Sequence, residues 1–549
     1  MTKQLLTVVL VLTCIFPSAV AAQMVTRKNS AAMRAAQEIT AKQMSDYLHF
    51  IASDEMEGRD TPSRGLDTTA KFIGMNLSRW GFKPAGDDGT FYQKIGLQTH
   101  RTDPWKTSLE IGGKKLEYGV DFFSDPNAAA EVAASPLVFA GTGWLLRSRG
   151  VDPLKDLDVK GKTLVVYRNG FPPGYAEDRD AGKLGKYGTD WMDAVAYAMQ
   201  KGAVGLIRIA TPDMDANFAA ERANRENADA TVDRFPASDD HSIPTLMISR
   251  KAAENLLAGE GKTVDEITSG GVASFPLSKT AKYSVAVKND KATTQNVVAI
   301  WEGSDPVLKN EMVAIGAHYD HLGTGTDCGS NNGADRICNG ADDDGSGTTG
   351  VLAIAEALAK SKVRPKRSTL FVWHCGEEKG LWGSQYFTTF PTVDLKNVIA
   401  QLNIDMIGRS KKSGDTDPKN KDLSGEDAIY IVGSEKMSSQ LGKTVADVNN
   451  AYLKLNYDKR YDDPKDPNRI FFRSDHFNYA RKLIPITFWY DGEHVDYHQA
   501  GDEPDRIDYN KMEKVARTIF LTMWELSDTK DRPKIDQPLP SSITGIPAK

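Results

Sequence analysis

Seven carboxylates and two imidazoles stand in the C-terminal half of the sequence at positions that could do metal chemistry. His318 and Asp320 lie in "AHYDHLG", Asp342, Asp343 and Asp344 run together before "GSG", Glu377 and Glu378 are adjacent in "HCGEEKG", Asp405 follows "QLNI", and His498 opens "HQAGDEPD". Carboxylates gathered without a basic partner repel one another, and burying one unpaired costs several kcal/mol, roughly. Two imidazoles with several carboxylates form the donor mixture that borderline divalent ions such as zinc accept. Five ligands, one of them shared, suit two ions about 3.5 to 4 Å apart. A closed structural zinc site would use thiolates in a tetrahedral set, and no such pattern is present.

The adjacent glutamates fit the same chemistry. Successive side chains at a strand end point in different directions. Glu378 is expected as a ligand and Glu377 as the general base, taking a proton from the metal-held water as it attacks a carbonyl and returning it to the leaving amine. Two glutamates in isolation would more simply read as a helix start favoured by the dipole. The other acidic and imidazole residues argue against that.

The elements that must bring these residues together are legible as apolar runs. From about residue 280, strands alternate with amphipathic helices: "EMVAIGAHYD", then helix "SGTTGVLAIAEALAKS", then strands "STLFVWHC", "VIAQLNIDMIG" and "LIPITFWYDG". That order predicts βαβ units around a mixed, mainly parallel sheet, an α/β fold. Each chemically suggestive residue falls at a strand end, where open parallel sheets bind ligands. Upstream, "TAKQMSDYLHFIASDEM" and "DTTAKFIGMNLSRWGF" read as helices, the second with Phe72, Ile73, Leu77 and Trp80 on one face. Between residues 135 and 275, "SPLVFAG", "KTLVVYRNG" and "VGLIRIA" read as strands, "DWMDAVAYAMQKGA" as a helix, and "SIPTLMISRKAAENLLAG" as a further apolar stretch, with no ligand-like cluster. "KKSGDTDPKNKDLSG" and "YDDPKDPNR" read as solvated loops within the long polar stretch Ser410 to Asn468.

At 549 residues the chain exceeds one ordinary core. A net charge of −6 with 26% charged residues gives no electrostatic argument for nucleic acid or an anionic membrane. The opening "MTKQLLTVVLVLTCIFPSAVAAQ" has the layout of a secretory signal peptide cleaved near Ala21 or Ala22, with an apolar stretch too short to span a bilayer. A secreted or periplasmic chain without stable membrane association is expected once this leader is removed. In that oxidising setting Cys328 and Cys338 are expected to bridge the polar loop "CGSNNGADRIC". Cys375, alone beside the glutamates, reads as a small packing residue.

The runs "AHYDHLG", "NGADDDGSGTTG", "GEEKGLWGSQYF", "NIDMIGR", "SDHFNY" and "YHQAGDEPD" resemble, in order, the motifs of the co-catalytic di-zinc aminopeptidases, metallopeptidase family twenty-eight of clan MH. The resemblance covers the C-terminal half and the N-terminal helices around "EGRDTPSRG". It implies a phosphorylase/hydrolase-like zinc exopeptidase fold and a secreted zinc-dependent aminopeptidase with two Zn²⁺ per chain acting on peptides. It makes His318, Glu378, Asp405 and His498 metal ligands, Asp343 the bridging ligand, Glu377 the base, and Asp320 the carboxylate that orients the His318 imidazole. The middle block looks like an inserted protease-associated domain. The implied organisation is a signal peptide (residues 1–22), an N-terminal part of the peptidase (23–134), the insert (135–277), the main peptidase domain (278–530) and a tail (531–549).

Tyr497 is placed to hydrogen-bond an oxyanion or simply to pack. Asp475 and His476 are expected as supporting groups near the site, Arg409 as a salt-bridge partner of the carboxylates, and His321, His374 and His494 as satisfied or surface histidines. Three rival readings are a one-zinc glutaminyl cyclase of the same fold, a carboxypeptidase of acidic peptides, and a non-catalytic binding module. The last would lose ligands, and none is missing here.

Overall fold

A computed structural model describes residues 29–539, apart from 168–170, 173, 176–182, 227–228, 236–241, 271, 326–327, 329–334 and 464–465. The expected leader with Cys14, and residues 540–549 of the tail, lie outside the described residues.

A period of two organises the main sheet. In the strand Met312–His318, Val313, Ile315 and Ala317 join one apolar cluster while Met312 and Ala314 join another. In Ser368–His374, Phe371 and Trp373 take the first side and Leu370 and Val372 the second. Strands apolar on both faces are those of a sheet covered on both sides. The two strands run parallel, with His318 opposite His374. Across the sheet the order is Asp229–Val232, Tyr92–Thr102, Val287–Trp301, Ser368–His374, Met312–His318, Val398–Ile404, Ile486–Tyr490, Ala428–Val432 and Asn456–Asp458, with Lys83–Pro84 also pairing to Val287–Trp301. The four central strands are mutually parallel and the strands next to them, Val287–Trp301 and Ala428–Val432, run antiparallel to them, so the sheet is mixed with a parallel middle.

Helices Ala41–Ile51, Arg64–Trp80, Gly347–Lys360 and Tyr509–Asp528 supply the first cluster; Trp382–Thr389 and the segment around Tyr479 supply the second. Arg64–Trp80 starts where the Ser63 hydroxyl accepts from Leu66 N and stops at Gly81, which is left-handed (φ 81°). Ile73 and Leu77 are fully buried on its expected face, with Phe72 and Trp80 packed at the edge. Gly347–Lys360 is almost wholly buried, and a Cβ on Gly347 would sit 2.3 Å from Asp344 Oδ1 and 2.7 Å from Ile404 O. Only glycine lets this helix start against the sheet.

A second sheet forms between residues 108 and 285, in the order Lys114–Leu116, Ser108–Ile111, Phe275–Val285, Ala130–Phe139, Thr163–Tyr167, Gly205–Ile209, Thr245–Ile248 and Phe122–Ser124. It has its own apolar clusters. The strand Asp229–Val232, drawn from this middle region, pairs instead with Tyr92–Thr102 of the main sheet. The helix in "DWMDAVAYAMQKGA" begins at Ala194, because Asp193 caps the N–H groups of Val195 and Ala196 while Trp191–Met192 pairs with Leu145–Leu146. The stretch 410–468 is more ordered than its polarity suggests: Ala428–Val432 joins the sheet, and helix Ser439–Ala451 packs Leu441, Val445 and Val448 into the core.

Candidate metal centre

The parallel strands end together, and their termini carry the acidic and imidazole residues. His318 is the last residue of its strand, Asp405 follows Val398–Ile404, and Glu377 and Glu378 lie just past Ser368–His374, in a turn entered through Gly376 (φ 64°). Asp342 to Asp344 form the loop before Gly347–Lys360, with the Asp343–Asp344 peptide cis, and His498 follows Ile486–Tyr490 on a coil with φ 56°.

The three consecutive aspartates have different uses. Asp342 accepts from Gly408 N (2.7 Å), and Asp344 accepts from His318 N, Gly347 N and Met406 N (2.9–3.1 Å). Their carboxylates fasten the loop to the strand ends. Asp343 accepts no such bond and is held through its own N–H, which donates to Asp502 Oδ2 at 3.1 Å. Its Oδ1 lies 3.2 Å from His318 Nε2 and its Oδ2 lies 3.1 Å from His498 Nε2. A carboxylate between two imidazoles has the geometry of a bridging ligand. His318, Asp344 and Asp405 also lie within coordination reach of one another. Asp344 is the weaker candidate, since its oxygens already serve three backbone donors.

On one side of Asp343, Asp405 Oδ1 is 3.7 Å and Glu377 Oε2 4.0 Å from His318 Nε2. On the other, Glu378 Oε2 is 3.4 Å from His498 Nε2. Asp320 supports both halves: its backbone oxygen is 3.2 Å and its carboxylate 3.5 Å from His318 Nδ1, while the carboxylate accepts from Glu377 N and Glu378 N (3.1 and 3.4 Å). It therefore orients the imidazole and aims the glutamate turn, the outer support that metal-bound histidines need.

Charge decides what the cluster can hold. Burial lowers the affinity of the His318 imidazole for a proton, but Asp405, Glu377, Asp320 and Asp343 reverse this and raise its pKa well above 6.5. His498 is likewise disfavoured by burial, yet Asp343 and Glu378 raise it to about 10. Burial pushes Glu377 well above 4.5, and Glu378 and Asp405 push it further against the pull of His318. A site that forces protons onto its histidines has an excess of negative charge that a divalent cation would neutralise. The buried guanidinium of Arg59 is committed to main-chain oxygens of Ile51, Tyr319, Asn339 and Gly340. His498 Nε2 and Glu378 Oε1 are buried without a hydrogen-bond partner. The donor set fits metal ions.

The remaining residues divide. Arg409 pairs with Asp496 (2.7 Å), behind the site. Asp475 meets His374 (3.3 Å), and His476 Nε2 is 2.8 Å from Phe471 O. Tyr497 stacks on His498 (3.9 Å between centroids), and its hydroxyl accepts from Arg473 at 3.1 Å. His321 is not a surface histidine: it is fully buried beside Glu378, and neither ring nitrogen makes a hydrogen bond. Asp502 and Arg59 carry no role predicted from the sequence, although both stand inside the quoted motifs. Cys328 and Cys338 form a disulfide, and Cys375 is a buried free thiol.

A narrow cavity opens beside the cluster, lined by Asp343, Glu377 and Asp405 together with Met406, Arg473, Phe488 and Tyr497.

Residues 296–523 match the profile of Peptidase family M28. Leucine aminopeptidase 2 of Arthroderma otae is 25% identical over 293 residues, covering 49% of this chain and 49% of that one. Leupeptin-inactivating enzyme 1 of Streptomyces exfoliatus is 33% identical over 118 residues, covering 21% of this chain and 23% of that one. The chain spans about half the length, or less, of these curated relatives. Among solved structures, an aminopeptidase from Aneurinibacillus sp. strain AM-1 superposes with a TM-score of 0.52 at 17% identity, covering 93% of this chain and 98% of that one. BSAP, a zinc aminopeptidase from Bacillus subtilis, gives 0.53 at 16% identity, covering 90% and 98%. At these identities the superpositions establish a shared fold. The segment 296–523, which matches that family profile, carries every strand-end residue described above.

Proposed function

We propose that the protein is a secreted zinc-dependent aminopeptidase that removes N-terminal residues from peptides. The observation that carries this reading is Asp343, a buried carboxylate free of backbone duties and poised between His318 and His498, with Glu377 beside it. In this reading His318 and Asp405 would hold one zinc ion and Glu378 and His498 a second, with Asp343 placed to serve both. Zinc so bound supplies Lewis acidity to a peptide carbonyl and makes a water acidic enough to attack it near neutral pH.

The chain's own groups do the rest. Glu377 ligates neither ion; it accepts the proton of the attacking water and delivers it to the departing amine nitrogen. Its raised pKa, from burial, suits a group that must carry that proton for part of the cycle. The Tyr497 hydroxyl accepts from Arg473, which leaves its own hydrogen to donate to the carbonyl oxygen as charge develops there. The same centre would hold the substrate's free α-amine, a requirement that favours cleavage after the first residue. The leader and the Cys328–Cys338 disulfide support secretion into an oxidising compartment.

The test is zinc analysis of the purified protein together with a panel of aminoacyl chromogenic substrates and N-blocked controls. Two zinc ions per chain and hydrolysis confined to free N-termini are expected. Equal turnover of blocked substrates, or full activity after chelation, would refute the assignment.

A further inference from the structure

We infer that His321 is a third imidazole ligand of the metal centre, acting through Nδ1 on the ion held by Asp343, Glu378 and His498. The inference rests on the two-ion reading above. His321 is fully buried, three residues after His318, on the other side of Asp320. Its Nδ1 lies 2.8 Å from Glu378 Oε1 and 3.9 Å from Asp343 Oδ2. His321, Asp343 and Glu378 each present a donor atom, all within 4.8 Å of one another.

The distance to Glu378 would suit a hydrogen bond, yet neither His321 Nδ1 nor Glu378 Oε1 has a hydrogen-bond partner. The ring N–H direction misses the oxygen. Two ligands of one ion behave this way: each lies about 2.0 to 2.2 Å from the metal, so they sit roughly 3 Å apart while aiming at a common point instead of at each other. His498 Nε2 has the same relation from the opposite side, 3.1 Å from Asp343 Oδ2 and 3.4 Å from Glu378 Oε2, and it too lacks a hydrogen-bond partner. The two rings stand 5.8 Å apart at 70°, with Asp343 and Glu378 in contact with both.

The ring of His321 is fixed in this pose. Its backbone N–H donates to Arg59 O (3.1 Å), and Gly340, left-handed at φ 56°, packs beneath it so closely that a Cβ there would meet His321 Cγ at 2.4 Å. The ion on this side would then have four protein ligands, Asp343, Glu378, His498 and His321, against three for its neighbour, His318, Asp343 and Asp405. The two ions should therefore differ in affinity, with the His321 side tighter.

The test uses the full-length protein freed of metal and reloaded with Co²⁺, read by paramagnetic proton NMR in water and in deuterium oxide. Three strongly shifted, exchangeable imidazole N–H resonances are expected in the wild type, from His318, His498 and His321. His321→Gln should remove one of them and weaken one Co²⁺ site by more than the ~10–100-fold that losing a supporting hydrogen bond costs, while the other site keeps its affinity. Two resonances in the wild type, or two sites of wild-type affinity in His321→Gln, overturn the assignment of His321 and leave the two-ion reading intact. Failure of the wild type to bind Co²⁺ overturns both.

Discussion

Asp343 and its neighbours show how identical side chains acquire different tasks from their surroundings. Asp344 spends both oxygens on backbone N–H groups and Asp342 spends Oδ1 on Gly408 N, its Oδ2 facing His494 Nε2 at 3.3 Å, while Asp343 keeps its oxygens for His318 and His498. Asp343→Asn is expected to abolish binding of at least one ion, whereas Glu377→Gln should retain both and lower kcat by about 10²- to 10⁴-fold; metal analysis with steady-state kinetics separates the two. A Glu377→Gln variant that turns over normally would remove it as the base. His476, whose proton affinity is set by burial, Phe471 O and Asp475 and not by the ligand carboxylates, offers a separate pH test. Burial lowers its pKa from 6.5 to about 4, so the folded state binds fewer protons than the unfolded one in that interval. Its stabilising contribution is intact above about 6.5 and is lost as pH falls through about 4. The urea midpoint should fall over this window in the wild type and fall less in His476→Gln, which keeps an N–H donor for Phe471 O. At this scale the sequence showed residue types and their order, which is why the glutamates, Asp405 and His498 were legible. The demands made on each oxygen were not, since apart from Gly347 the backbone partners of those oxygens, His318, Met406 and Gly408, lie 26 to 66 residues away.

At the level of elements, Arg59 links the N-terminal segment to both ligand loops. Its guanidinium is fully buried and donates to Ile51 O, Tyr319 O, Asn339 O and Gly340 O at 2.6–3.0 Å. Tyr319 follows His318 and Gly340 precedes the aspartates, so one side chain sets the distance between the two loops. Arg59→Met takes a donor from each of four carbonyls, of which Gly340 O keeps the Gly345 N–H, and strips a cation from beside Asp320 and Asp502. A loss of about 3 to 5 kcal/mol is expected, measured by urea unfolding of the metal-free protein; a loss below about 1 kcal/mol would deny Arg59 this linking role. The central strands were readable because they are short apolar runs between turn-forming residues. The strand Ala428–Val432 and helix Ser439–Ala451 were hidden in a polar stretch, because each buries only part of its surface and the flanking loops dominate the composition.

The molecule as a whole should respond to metal removal in a pH-dependent way. Without metal, His498 has a pKa of about 10 against an ordinary 6.5. A folded pKa above the unfolded value contributes stability that is present below 6.5 and disappears as pH rises to about 10. Burial moves Glu377 and Asp405 in the same direction. The Tm of chelated protein is therefore expected to fall between pH 7 and 10, widening its gap from the zinc-loaded form, as followed by scanning fluorimetry. A gap that narrows with pH would contradict a cation-binding cluster.

The pairing of Asp229–Val232 with Tyr92–Thr102 has a practical outcome for anyone trimming the chain. Leu97, Gln98, Thr99 and His100 of the main sheet owe their outer neighbours to a strand that the middle region lends. Excising that region to obtain a minimal catalytic core would bare a ladder of unmatched amides and carbonyls, a template on which further copies can polymerise. A shortened version would need a charged or proline-bearing substitute for the borrowed strand if it is to stay monodisperse.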